Sequence, residues 1–372
     1  MKYFILAGEV SGDLHASNLM RYIKKFDADA EFACWGGDCM QQQGGKILKH
    51  ISELAFMGFI EVALNIRKIF RNFKLCRQHI KDFNPDTIIL VDYPGFNLRI
   101  ARRAKEMGYR VIYYISPTVW AWKESRVEII KKYVDKLFVI LPFEKEFYKK
   151  HDYEVVFEGH PLMDSISQWK NKNQDQQKFI EKNNFSSKKI IALLPGSRKQ
   201  ELEKLLPTML LLPPHFKDYQ FVVAGTSSLD KSEYLKFKGI GNVKIVFDQT
   251  YDLLSRSHAA VVTSGTATLE TALLQVPEVV CYKSSWLSFS IARLLVNINF
   301  ISLVNLIMDK EIVKELVQTD FNFENLRYEL DKILHDNAYC ENMLENFLLL
   351  QNKLRGVGVS ERIAKKIVID CN

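Results

Sequence analysis

The stretch IIALLPGSRKQELEKLLP, residues 190–207, decides how this chain is divided. It opens with an unbroken apolar run that ends at Leu194. Pro195 and Gly196 turn the backbone, and Ser197 stands where a helix cap is wanted before an amphipathic pattern begins. Unbroken apolar runs are the signature of parallel strands covered on both faces. Just upstream, residues 168–189 (QWKNKNQDQQKFIEKNNFSSKK) are polar and carry little strand signal. Before that break YFILA, EFACW, TIILVD, RVIYYIS, KLFVIL and EVVFEG alternate with helical patterns; after it FVVAG, VKIVF, AAVVTSG and PEVVCY do so again. An alternation that stops and restarts predicts two doubly wound α/β units of Rossmann type. The expected boundaries are 1–165 and 166–349. A last helix, within about 350–372, has no place in the second sheet and is expected to return to the first unit.

The composition fits this division. At 372 residues the chain is long enough for two cores, and 47% hydrophobic with 26% charged residues is the balance of a water-soluble globular protein. A net charge of +7 favours an anionic partner, whether nucleic acid, phosphorylated metabolite or acidic lipid. The six cysteines (34, 39, 76, 281, 340, 371) form no C-x-x-C pair and no zinc spacing, which suits reduced thiols in a cytosolic protein. The opening MKYFILAGE has too short an apolar run for a secretory signal, which needs roughly 7–15 residues. The long apolar stretch 286–308 is interrupted by Arg293, Asn297, Asn299 and Asn305, so no spanning helix is expected.

Ligands of open α/β sheets sit beyond the carboxyl ends of the strands. Three such ends carry chemistry here. AGEVSGDLHA (7–16) places Glu9, Ser11 and Asp13 between and beside Gly8 and Gly12, without the compact dinucleotide fingerprint; it also suits a plain glycine turn before a capped helix. The Gly196–Ser197–Arg198 turn offers backbone N–H groups, a helix dipole and a guanidinium fork, all of which attract phosphate. AAVVTSGTATLETALLQVP (259–277) gathers Thr263, Ser264, Gly265, Thr266 and Thr268 at a strand end, with Glu270 one turn into the next helix. That pattern fits a diphosphate cradle and a carboxylate for ribose hydroxyls. Two phosphate-friendly loops in one unit, without a hydride-cofactor fingerprint, point to a nucleotide-linked donor.

Asp92 ends TIILVD and precedes Tyr93-Pro94-Gly95, a lip position suited either to a general base or to binding turn amides. Glu9 is the second candidate for the base, and His15 a weaker one. In ISPTVWAWKESR (115–126) Trp120 and Trp122 lie two apart, followed by Lys123 and Arg126. Residues so spaced tend to point to opposite faces, so one ring is expected to pack inward and the other to shape a ligand surface. Residues 56–81 hold no acid after Glu61. On a helical wheel Phe59, Ala63, Ile66, Phe70 and Phe73 share a stripe bordered by Arg67, Arg71 and Lys74. Such a stripe suits an anionic bilayer surface, and equally a core-facing helix with a wet basic edge. Asp27-Ala28-Asp29 reads as a solvated turn rather than a metal site, and no metal ligand set is expected.

In order and spacing, AGEVSGDLHA, ELAFMGFIEV, VDYPGFN, ISPTVWAWKESRV, LPFEKEFY, EGHPL, LLPGSRKQE, TSGTATLE and SLVNLIMDKEIVKEL resemble lipid-A-disaccharide synthase. This is a family of inverting glycosyltransferases, and the likeness covers nearly the whole chain. Val304 departs from it, standing where the family usually has proline before the asparagine aligned with Asn305. Gly95 stands where some members carry a second acid, which singles out Asp92. The resemblance implies a GT-B fold, two Rossmann-like domains facing each other across a cleft. It implies transfer of 2,3-diacylglucosamine from its UDP derivative to the 6-hydroxyl of 2,3-diacylglucosamine 1-phosphate, giving a β-1,6 disaccharide and UDP. In that reading UDP-sugar is a substrate, and neither cofactor, metal nor nucleic acid is involved. Asp92 is the base with Glu9 in reserve, Arg198 and the 263–268 loop hold the diphosphate, Glu270 the ribose, and Asn305 lies by the donor. Lys123 or Arg126 meets the acceptor phosphate. The enzyme would build the lipid A disaccharide, a component of the Gram-negative outer membrane, at the cytoplasmic face of the inner membrane, held there peripherally by helix 56–81. A homodimer that exchanges C-terminal regions is also implied. Two rival readings are a UDP-sugar 2-epimerase, which leaves the apolar–basic helix unexplained, and a non-enzymatic membrane-associated nucleotide-sugar sensor, which has no need of Asp92.

Overall fold

The computed structural model describes residues 1–54, 66–172, 176–237, 243–285, 289 and 298–369. The chain divides into two compact units, one made of residues 1–164 with 355–372 and the other of residues 165–354. The first unit holds β1 (Lys2–Ala7), β2 (Glu31–Gly36), β3 (Lys46–His50), β4 (Thr87–Val91), β5 (Arg110–Tyr114), β6 (Lys136–Val139) and β7 (Val156–Phe157). They form one sheet in the order β3-β2-β1-β4-β5-β6-β7, parallel throughout. The second unit holds β8 (Lys189–Leu194), β9 (Tyr219–Gly225), β10 (Lys244–Phe247), β11 (Ser257–Thr263), β12 (Glu278–Tyr282) and β13 (Lys314–Val317). Its sheet runs β10-β9-β8-β11-β12-β13, again parallel.

Both orders reverse direction beside the first strand of their unit. In the first sheet this happens between β1 and β4, and in the second between β8 and β11. Adjacent crossovers leave on opposite faces there, so the two strand ends part and open a crevice. The loops that follow these four strands are AGEVSGD, VDYPG, PGSR and TSGT.

The C-terminal helix Val359–Ile369 belongs to the first unit. It lays Val359, Ile363, Ala364 and Ile367 into the apolar layer formed by Tyr3, Ile5 and Ala7 of β1 and by Ala16, Leu19 and Ile23 of the helix Val10–Phe26. Its first amides are met by a buried carboxylate. Asp164 accepts from the N–H groups of Gly358 (2.6 Å), Val359 (3.2 Å) and Ser360 (2.7 Å), satisfying donors that no helical carbonyl can reach. Glu158 adds ion pairs to Arg362 (3.4 Å) and Lys366 (3.1 Å).

β3 and β13 were not apparent as strands in the sequence. Each is the outermost strand of its sheet, so its side chains are only partly covered, and KILKH and KELV lack the unbroken apolar run of a central strand. β7 is a two-residue strand at the opposite edge. Val304, the departure from the family pattern, is the second residue of the helix Leu303–Met308, which Ser302 caps through the Asn305 N–H. An N–H at that position has no intrahelical partner, so proline there would cost the helix no hydrogen bond.

Candidate active site

At the first unit's crevice β4 ends in two consecutive left-handed residues, Asp92 (φ +45°) and Tyr93 (φ +50°). Neither is glycine, and both are costly conformations that a protein keeps only where the surroundings enforce them. The Asp92 N–H bonds the carbonyl of Tyr114 (3.0 Å) on β5. Its own carbonyl accepts from Asn97 Nδ2 (2.7 Å) and from the Tyr113 hydroxyl (2.5 Å). The Tyr93 ring lies over Gly8, where an added Cβ would sit 2.3 Å from Tyr93 Cγ. Gly8 therefore lets the turn seat beside the end of β1, from which Glu9 follows as N-cap of the helix Val10–Phe26. Burial, and then the charge of Glu9, push the Asp92 carboxyl up to about 6. Two neighbouring carboxyls, one with its affinity for protons raised, are the makings of a general base.

Two further residues of AGEVSGDLHA, Asp13 and His15, are turned into the fold. Asp13 is buried and accepts from the amides of Gly37 (2.7 Å), Cys39 (3.0 Å) and Met40 (3.2 Å). His15 is buried and its Nδ1 has no partner. Burial holds it down at about 4, so it is neutral at physiological pH.

The tryptophan loop follows β5. Trp120 packs edge-to-face on Phe143 at 4.8 Å, beside the buried Glu144. Trp122 carries two cations on its ring, Lys123 Nζ at 4.4 Å and Arg126 Cζ at 5.2 Å from the centroid. Trp120 is thus the packing ring, and Trp122 the platform for charge. Arg126 is lowered from its ordinary value by burial and by the nearby Arg99, and it faces Tyr113, which counters the shift. Among the described residues no carboxylate pairs with Arg99, Lys123 or Arg126. Such a cluster favours an anionic ligand.

At the second unit's crevice one expectation needs correcting. Ser197 does not cap the helix Lys199–Met209; Arg198 is its N-cap. The amides of Ser197 and Arg198 donate to Glu201 Oε2 at 3.1 and 3.2 Å. A glutamate three residues past the cap reaches back to these donors, so the N–H groups expected to face an anion are taken by the chain itself. The Arg198 side chain is 63% exposed, with Nη1 3.6 Å from Glu201 Oε1. Gly196 has φ +106°, and a Cβ there would fall 2.2 Å from Glu201 Oε2. Conformation and space both require glycine.

Across the crevice Gly265 precedes the helix Thr266–Leu273 with φ +152° and ψ −159°, a region open almost only to glycine. Nothing lies within 4 Å of its missing Cβ, so it is conformation that excludes a side chain. Thr266 is exposed at the lip. The Ser264 hydroxyl donates to the Ile301 carbonyl at 2.8 Å, which leaves it only as an acceptor; it is not a donor for a diphosphate as expected. Glu270 accepts from the Tyr251 hydroxyl at 2.7 Å, and burial raises its carboxyl above the ordinary range.

Asn305 is also corrected. It is fully buried, and its Nδ2 donates to the Val313 carbonyl (2.9 Å) and Glu315 Oε1 (2.8 Å). Its Oδ1 accepts from the amides of Ile312 (2.7 Å) and Val313 (3.0 Å). Two donors and two acceptors exhaust a carboxamide, so Asn305 braces the 302–315 segment and has no atom left for a donor sugar.

In the basic helix Ile66–Phe83, Arg67, Arg71 and Lys74 are exposed, and Phe70 is 64% exposed. Phe73 departs from the expected stripe: it stacks on Phe96 at 4.3 Å and joins the first unit's core. Phe59 lies outside the described residues, as do Ala63, the Ile66 side chain and, within 286–308, residues 286–288 and 290–297. Among the described residues no helix is long and apolar enough to cross a membrane, and no three His, Cys, Asp or Glu side chains gather as a metal site.

Asn97, Tyr113, Glu201 and Tyr251 were missed as site residues. Asn97 alone carried a signal, an amide in the first turn of a helix whose neighbours Phe96 and Leu98 are buried. The other three reach the site only through the fold.

A family model described as lipid-A-disaccharide synthetase matches residues 3–367. Lipid-A-disaccharide synthase of Geobacter sulfurreducens is 36% identical, covering 98% of this chain and 95% of the relative. That of Nitrosococcus oceani is 37% identical with the same coverage, and that of Syntrophus aciditrophicus 38% identical over 97% and 95%. Among solved structures, UDP-GlcNAc 2-epimerase from Neisseria meningitidis bound to UDP-GlcNAc superposes with TM-score 0.71 at 14% identity, covering 100% of both chains. The glycotransferase of kitacinnamycin superposes with TM-score 0.63 at 12% identity, covering 98% of both. These two likenesses are of fold. The fold is the GT-B fold of glycosyltransferases and epimerases.

Proposed function

The chain belongs to the lipid-A-disaccharide synthetase family, and from that premise we propose which residues carry the reaction, on which substrates and where. It is a glycosyltransferase of lipid A disaccharide synthesis, and this reading displaces both the epimerase and the sensor. The donor is UDP-2,3-diacylglucosamine, a substrate rather than a resident cofactor, and the acceptor is 2,3-diacylglucosamine 1-phosphate. Asp92 takes the proton from the acceptor 6-hydroxyl. The oxygen attacks the anomeric carbon of the donor, whose bond to the diphosphate breaks, and UDP leaves with the electron pair. One displacement inverts that carbon and yields the β-1,6 link.

The observation that supports this assignment is topological. Asp92 and Glu9 follow the two strands that flank the first sheet's reversal, and Gly196–Arg198 and Gly265–Glu270 follow those that flank the second's. Arg198 meets the diphosphate through its exposed side chain, and Glu270, steadied by Tyr251, accepts from ribose hydroxyls. Lys123 and Arg126, with Trp122 beneath them, meet the acceptor's 1-phosphate. Exposed Phe70 with Arg67, Arg71 and Lys74 supports peripheral binding at the anionic cytoplasmic face of the inner membrane, where both acylated substrates lie. Dimerisation by exchange of the C-terminal region belongs to the same proposal.

Asp92→Asn tests the base. UDP release with acylated donor and acceptor is expected to fall about 10²–10⁴-fold, while UDP affinity, read by calorimetry, stays at the parent value. Near-normal turnover would remove Asp92 from the mechanism.

A further inference from the structure

We propose that Asn97 and Tyr113 are positioning residues that hold the Asp92 carboxylate in its working orientation by clamping the backbone of its turn. The inference rests on the assignment of Asp92 as base. Its ground is the hydrogen bonding around the peptide that joins Asp92 to Tyr93. This peptide lies between two left-handed residues, so nothing in its own preferences keeps it there. The Asp92 carbonyl receives two donors, Tyr113 hydroxyl at 2.5 Å and Asn97 Nδ2 at 2.7 Å. Asn97 Nδ2 also reaches the Val91 carbonyl at 3.2 Å. The two donors come from different elements, the strand β5 and the helix Pro94–Glu106. Together they fix the plane of the peptide in two directions.

Asn97 shows that this is its task. The residue is fully buried, yet its Oδ1 has no partner. A buried amide that leaves its acceptor idle is kept for its donors. Tyr113 likewise is fully buried, its ring in the core and its hydroxyl turned to the one carbonyl. Were strand-end hydrogen bonding the only need, one donor would satisfy that carbonyl. The second makes sense where the direction of the Asp92 side chain matters, because rotating this peptide swings its Cα–Cβ bond and draws the carboxyl out of its pocket.

Tyr113→Phe removes the hydroxyl and keeps the ring, and Asn97→Ala removes the other donor. Each is measured for turnover against pH and for thermal unfolding, beside Asp92→Asn. In Tyr113→Phe kcat is expected to fall about tenfold with KM within about twofold. The acidic limb of its kcat/KM profile moves down by about half to one pH unit, since a loosened turn returns the carboxyl towards water. Asn97→Ala shifts both readings the same way. Folded variants that keep the parent kcat and acidic limb overturn the clamp. So does a fall in kcat with the limb unmoved, which marks a merely structural role. If Asp92→Asn is dead while Tyr113→Phe behaves as the parent, the base assignment stands and the clamp alone fails. If Asp92→Asn turns over normally, both fall.

Discussion

Asp92 and Glu278 are both carboxyls that the fold pushes towards the protonated form, but they stand at opposite ends of their strands. Asp92 follows the carboxyl end of β4, where ligands bind, and is held up at about 6 by burial and by Glu9. The proposed base must be ionised to act, so on that proposal kcat/KM is flat above that value and falls about tenfold per unit below it; a pH–rate profile on the acylated pair checks this. Glu278 opens β12, away from the crevice, and is fully buried with neither oxygen partnered. Burial raises it well above the ordinary range. The folded state then binds a proton that the unfolded chain releases, so its contribution is complete below the ordinary carboxylate range. It is lost as pH rises towards the folded value. Glu278→Leu should therefore gain about 1–3 kcal/mol near pH 8, and its unfolding free energy should vary less with pH than the parent's in denaturant titrations. Asp92 was legible in the sequence because a carboxylate at the lip of an apolar run is conspicuous. Asn305 misled for the opposite reason: motif position cannot reveal that a carboxamide has spent all its hydrogen bonds on its own segment.

At the scale of elements, central strands declared themselves and edge strands did not. IILV of β4 and IIALL of β8 are apolar throughout because both faces are covered, whereas β3 and β13 at the rims carry lysines and a glutamate. The helix Ile66–Phe83 shows the limit of a wheel drawn without a neighbour. Phe70 and Phe73 fall on one stripe, yet Phe73 meets Phe96 and Phe70 meets solvent. Changing Phe70 to Glu should weaken co-sedimentation with vesicles of anionic phospholipid and leave the unfolding midpoint unchanged. Reversing Arg67 and Arg71 to Glu should do the same, more strongly at low salt. Unchanged sedimentation in both would remove this helix from the membrane reading. The C-terminal helix depends on one carboxylate for three amides, so Asp164→Ala should cost about 1.5–3 kcal/mol in the first unit's unfolding.

For the whole molecule, one alternation that stops and restarts marked the two sheets, and the polar stretch 168–189 marked where they part. The division itself falls at residue 164, and it returns the tail from 355 onwards to the first unit. No local pattern states that return. It follows from a shared apolar layer, with Ile363 and Ile367 against Leu19 and Ile23. A fragment of residues 1–164 alone should bind hydrophobic dye and lack cooperative unfolding, and adding a synthetic 355–372 peptide should restore both; residues 165–354 should fold unaided.

The discontinuity also has a consequence in time. Residues 165–354 are translated between the two parts of the first unit. At cellular elongation rates that interval is roughly 10–40 s. Throughout it the nascent first unit shows the ribosome's surroundings the bare patch that Val359, Ile363 and Ile367 will later cover. A chaperone that recognises exposed aliphatic surface has its window then, and the window closes when the tail arrives.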